Sequence, residues 1–393
     1  MRRWIAVLLL SLLAVPGRAQ ERKEIVVWHS YQGAARVAFE KVVDGFRSKE
    51  GWTAAAVAVP PDLLPSRIAA QVPRGDGPDV FLSTQERLGG WVQAGRILEP
   101  LLPDDRIRAR FLPRTLEALT YQRKLYGLPL EFRVVSLIYN RNLLQDAPLS
   151  SREMVAQARR LTSPELGKYG LATWYTDPYY HAPLLNAFGG SLFAADGRPT
   201  VNAAPNVQSV QLLKSWLRQG FLPSPSTTLI TSLFNEGKLA MVIAGPSFVE
   251  RIAPSIPFAV GPLPPVEEAG GKPMRPWITV QAVHIAATSQ HKDVAARLVR
   301  YLTDVPAGRT LALEGRLLPA HEAVYRDPQV SGDTVLQGFR KQLDTAAPMP
   351  NVPGMTRIWG PFARALQAVV ERRSSPQDAL DQAQREMTAA PQI

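Results

Sequence analysis

The chain has 393 residues, 46% of them hydrophobic and 20% charged, a length that suits two lobes or one large α/β unit and a balance that excludes wholesale disorder. It contains no cysteine, which excludes disulfides, thiolate metal sites and cysteine nucleophiles. The net charge of +11 raises nucleic-acid binding as a possibility to be tested against the placement of the charges.

Arg2 and Arg3 precede an apolar run from Trp4 to Val15, followed by Pro16-Gly17-Arg18-Ala19. A basic start, a short apolar stretch and a small-residue cleavage site predict an export signal over residues 1–19, cut near Ala19. The run is shorter than the roughly 20 apolar residues of a membrane-spanning helix. No cysteine follows it to carry a lipid, so a soluble periplasmic protein is expected. Removal of the signal takes three arginines and no acid, leaving a charge of about +8. The remaining bases are scattered, with only pairs such as Arg159-Arg160 and Arg372-Arg373. No basic stripe interleaves with aromatic residues, so no nucleic-acid partner is expected.

Ile25 to Trp28 is rich in β-branched residues and predicts a strand. Ala35, Phe39, Val42 and Phe46 share one helical face, with Gly51 as the expected stop. Asp79 to Leu82, Val134 to Tyr139, Leu239 to Ile243 and Val280 to Ala287 are further strand-length apolar runs. Strands alternating with amphipathic helices predict an α/β fold with parallel sheets covered on both faces. Proline-rich stretches at 60–65, 223–225 and 262–276 predict surface loops, with an exposed excursion around Gly270-Gly271. Ser375-Pro376-Gln377-Asp378 predicts the start of a terminal helix that runs to about Ala389.

No pair among the five histidines has zinc-motif spacing, and His284, inside an apolar strand, is expected to be a satisfied sheet residue. There is no Gly-x-Ser-x-Gly elbow and no phosphate-cradling loop. No catalytic residue, metal or cofactor is expected.

Two segments hold binding chemistry. Trp174 to Tyr180 places four aromatic rings and Asp177 in seven residues, around Pro178. It predicts a loop whose rings either pack on the C–H face of a sugar or cap a core. Gly75 to Arg87 predicts a turn and a buried strand whose carboxyl end delivers Glu86 and Arg87. Ligands of open parallel sheets bind at such ends, whereas an exposed ion pair there would contribute little.

The stretches 75–97, 126–144, 177–190, 234–246 and 349–363 resemble, in order, those of the periplasmic maltose/maltodextrin-binding proteins, which are extracellular solute-binding proteins of ABC importers. The resemblance covers nearly the whole chain after the signal. It implies a type II periplasmic-binding-protein fold of two lobes, three crossovers between them and a ligand cleft in the gap. Lobe one would hold 21–131 and 283–328, and lobe two 134–280 and 329–390. The implied protein is a non-catalytic monomer that captures an oligosaccharide by lobe closure and delivers it to membrane permease subunits. Maltose or maltodextrin is the first expectation, and trehalose or a related disaccharide the second. The alternatives are a secreted carbohydrate-active enzyme or a binder of an acidic or other sugar.

Carried over by motif, Glu86 and Arg87 would hydrogen-bond sugar hydroxyls. Asp177, Pro178, Tyr179 and Tyr180 would form the stacking segment of lobe two. Trp359 would be the principal stacking ring, with Met349 an apolar neighbour. Departures also fall at ligand positions. Ser83 and Ser247 stand where the family has tryptophans, and Arg133 where it has an acid. Glu131, two residues earlier on the same strand face, could serve instead. Tyr31 and Gln32 replace an acid–lysine pair of the first loop.

Overall fold

The structure, a computed structural model, describes residues 23–389, so the expected export signal lies outside the described residues. The larger sheet has the order Leu318–Pro319, Leu128–Arg133, Trp277–Ile285, Val80–Thr84, Glu24–His29, Thr53–Ala58. Ala347–Pro348 pairs with the start of Trp277–Ile285. The smaller sheet has the order Phe258–Gly261, Ser136–Asn140, Leu239–Ala244, Tyr169–Ala172.

Both sheets are mixed, where the alternation of strands and helices predicted parallel ones. In the larger sheet, Glu24–His29 runs parallel to both Thr53–Ala58 and Val80–Thr84, while Trp277–Ile285 is antiparallel to both of its long neighbours. The reason lies in the crossings. Leu128–Arg133 carries the chain out toward Ser136–Asn140 of the smaller sheet, and Trp277–Ile285 carries it back alongside. An outgoing and a returning strand that lie side by side must run in opposite directions. A third passage follows Leu318–Pro319. It leads to the helices Thr334–Gln342, Trp359–Val370 and Pro376–Ala389, which pack on Phe258–Gly261 and on the helices Pro178–Ala187 and Ala204–Arg218. The result is a two-lobe α/β fold.

Strand alternation places the core on both faces of the smaller sheet. Leu137, Met241 and Ile243 join one buried cluster, while Ile138 and Val242 join the other. The first helix, Gly33–Asp44, ends earlier than its apolar spacing predicted. The Gly45 N–H donates to the Val42 carbonyl at 3.2 Å and the Phe46 N–H to the Val43 carbonyl at 3.0 Å, which closes the helix, and Phe46 is buried beyond its end. The excursion around Gly270-Gly271 is a small hairpin, Pro265–Val266 with Lys272–Pro273. Ser375 accepts the Asp378 N–H at 3.1 Å and opens the terminal helix at the expected place.

Candidate ligand-binding cleft

The carboxyl ends of several strands converge on the gap between the lobes. Glu24–His29 delivers Ser30, Tyr31 and Gln32, and Val80–Thr84 leads into the 3-10 turn Gln85–Arg87, which delivers Glu86. Leu239–Ala244 delivers Gly245, Pro246 and Ser247. With Glu131 and Arg133 on the outgoing strand, and with Tyr179, Tyr180, Met349 and Trp359, they line a cleft of about 600 Å³. That volume is in the range of small-ligand sites.

Glu131 is 1% exposed, while the Arg133 side chain reaches toward the opening. Arg133 Nη2 donates to Glu131 Oε1 at 2.9 Å, and the Tyr31 hydroxyl donates to the same oxygen at 3.5 Å. The buried carboxylate raises the Arg133 pKa above its ordinary value. It also balances the guanidinium charge, so Arg133 offers N–H donors to the cleft from a neutral pair.

The aromatic segment is not the loop that its proline predicted. Asp177 accepts the Tyr179 N–H at 2.8 Å and caps the helix Pro178–Ala187. Proline at the first helical position lacks only an N–H that would have had no partner, so it starts the helix. Tyr179 and Tyr180 thus stand on a rigid first turn. The Tyr179 hydroxyl donates to the Arg133 carbonyl at 3.3 Å, and burial pushes the Tyr180 phenol up to about 12. Trp174 packs behind Tyr180 at 4.8 Å between ring centres, and Tyr175 is buried in the core.

Trp359 opens the helix Trp359–Val370 and meets the buried ring of Trp277 edge-on at 6.3 Å. Trp359 and Glu86 line the cleft together, and Trp359's only polar hydrogen, the indole N–H, favours the ionised form of the Glu86 carboxyl. Burial pushes the Glu86 carboxyl above its ordinary value, against the opposing pull of Arg87 and Trp359. A flat ring beside a charged acceptor is suited to a polyhydroxyl ligand.

Four residues singled out from the sequence are not among those lining the cleft. Arg87 is half-buried, with Nε 3.9 Å from Glu86 Oε1. Asp177 is engaged as a helix cap, and Pro178 is buried beneath the two tyrosines' turn. Ser83 is buried within its strand, and its hydroxyl makes a long 3.5 Å contact to the Thr84 carbonyl. Conversely, Thr279, Glu250 and Arg316 line the cleft and were not anticipated. Arg316 has a left-handed backbone (φ 54) and pairs with Asp333 at 2.8 Å. No local motif marks these three, because folding alone brings them to the cleft.

Residues 38–308 match the family described as bacterial extracellular solute-binding protein. The chain belongs to that family. It is 26% identical to a maltotriose-binding protein of Pyrococcus abyssi, over 88% of this chain and 78% of that one. It is also 26% identical to a galactooligosaccharide-binding protein of Bacillus subtilis, over 92% and 87%. Among solved structures, a cyclo/maltodextrin-binding protein complexed with maltotetraose superposes with a TM-score of 0.86 at 29% identity, covering 94% of this chain and 97% of that one. Among the described residues of this solute-binding protein, no group of three or more histidines, aspartates and glutamates could hold a metal ion. No helix among them is long and apolar enough to cross a membrane.

Proposed function

We propose that this solute-binding protein is the sugar receptor of an ABC importer and that its ligand is a neutral oligosaccharide, a maltodextrin first. The observation that carries this reading is that a tryptophan ring, Trp359, and a carboxylate, Glu86, line one cleft between the lobes. The maltotetraose-bound neighbour and the maltotriose-binding relative support the choice of sugar. The relative named for galactooligosaccharides supports a second reading, a galactooligosaccharide. Charge balance argues against an acidic sugar, because Glu131 offsets Arg133 and Asp333 offsets Arg316.

Glu86, Tyr179, Tyr180 and Trp359 are the proposed principal contacts, with Gln32, Arg133 and Ser247 around them. Lobe one would comprise 21–131 and 283–328, and lobe two 134–280 and 329–390, a division supported by membership of the two sheets. The protein would act in the periplasm after removal of its signal, as a non-catalytic monomer that hands its sugar to the permease. A thermal-shift screen over maltose, maltotriose, trehalose, galactooligosaccharides and uronic-acid disaccharides tests the ligand. The largest shift is expected with maltotriose. A larger shift with a uronic-acid disaccharide overturns the neutral-sugar reading, and turnover of labelled maltodextrin overturns the receptor reading.

A further inference from the structure

The returning strand Trp277–Ile285 pairs with Val80–Thr84 through Gln281↔Thr84 and no further toward its own start. Beyond that pair the backbone of the first lobe bends away into the turn Gln85–Arg87. The Gln85 side chain, 0% exposed, takes over where the backbone leaves. Its Oε1 accepts the Val280 N–H at 2.7 Å, and its Nε2 donates to the Ile278 carbonyl at 2.8 Å. The amide therefore extends the ladder along the crossing strand by two bonds. The Ile278 carbonyl also accepts the Met349 N–H at 3.2 Å. Met349 lines the cleft and begins the segment that leads to Trp359. One peptide of the crossing strand thus fastens both arms of the cleft. One arm carries Glu86, the residue next to Gln85, and the other carries Trp359.

We infer that Gln85 is a positioning residue that ties Glu86 to the strand on which the lobes turn, so that ligand held by Glu86 and Trp359 is registered at the crossing. The inference rests on the reading of the cleft as a sugar site. A glutamine is suited to this role because one planar amide supplies the acceptor and the donor that a strand backbone would have supplied. Both partners are buried backbone groups with no water to replace the lost bonds, so an apolar side chain of similar length leaves them unpaired. Glu86 then loses its fixed approach to the ligand even though nothing in Gln85 touches the cleft.

The test is a double-mutant cycle read by calorimetry with maltotriose, using Gln85→Met, Glu86→Ala and the pair. Gln85→Met is expected to weaken binding roughly tenfold when Glu86 is present, as suits the loss of a buried hydrogen-bonded anchor, and less than about twofold when Glu86 is absent. Gln85→Asn, which keeps the amide but is one methylene shorter, repeats the cycle should the methionine variant fold poorly. A purely structural role lowers thermal stability but weakens binding equally in both backgrounds, and that additivity overturns the inference. Unchanged affinity in the Gln85 variants overturns it as well. An unchanged affinity in Glu86→Ala alone overturns the sugar-site reading instead. Absence of maltotriose binding by the unsubstituted protein overturns both.

Discussion

Glu86 holds a carboxylate where burial opposes its charge, and Arg87, with a smaller pull from Trp359, favours that charge in part. A ligand hydroxyl that donates to this group needs the ionised form. Because the carboxyl is raised above 4.5, sugar affinity is expected to fall as the pH drops from neutrality toward that raised value. Calorimetry across this window should show the loss in the native protein and a flat profile in Glu86→Gln. Trp359→Ala removes the stacked ring and is expected to weaken binding by tenfold or more, about 1–3 kcal/mol of apolar contact. Unchanged affinity would place Trp359 outside the site. Both residues stand in recognisable motifs. Arg133 was recognisable only as a departure, and its neutralisation by Glu131 depends on a buried contact that no motif expresses.

Elements pack here with tolerances set by small residues and by buried rings. A Cβ added at Gly170 would lie 2.0 Å from the Ala158 carbonyl oxygen, where the helix Ser151–Arg160 meets the strand Tyr169–Ala172. Gly170→Ala must push the two apart and is expected to cost about 1–3 kcal/mol or more in urea unfolding, with little change in sugar specificity. His181 and His284 are held neutral by burial, at about 3 and about 4, against 6.5 for an exposed ring. The unfolded chain therefore binds more protons below 6.5. Their contribution to stability is complete above that value and is lost as the pH falls from 6.5 toward about 4 for His284 and about 3 for His181. The melting temperature should drop over this window, and His181→Gln should flatten the drop. The sequence marked most of these elements, because apolar spacing and caps are local. It misjudged the turn at Asp177-Pro178, since a proline that stops one helix also starts the next.

At the scale of the whole molecule, the cleft is lined from both lobes, so a ligand that touches both stabilises their approach. Binding at one hundred times Kd is expected to add about 2.7 kcal/mol to the stability of the folded state. Small-angle scattering should show the radius of gyration falling with maltotriose in the native protein. At the same sugar concentration, Trp359→Ala should show a smaller fall. A constant radius at saturation would remove lobe closure from the mechanism.

The sequence by itself determined the α/β class, the order of most elements and the family, because each is expressed in runs of neighbouring residues. It also carried the basic chemistry of binding, a tryptophan and a carboxylate in separate motifs. Only the tertiary structure decided the direction of the crossing strand, which follows from the return path between lobes. It also decided which residues meet. Glu86 and Trp359 are hundreds of residues apart and line the same cleft, while Arg87, beside Glu86, is not among the lining residues. Pairing over such distances depends on the fold closing on itself, and no local pattern of residues carries that information.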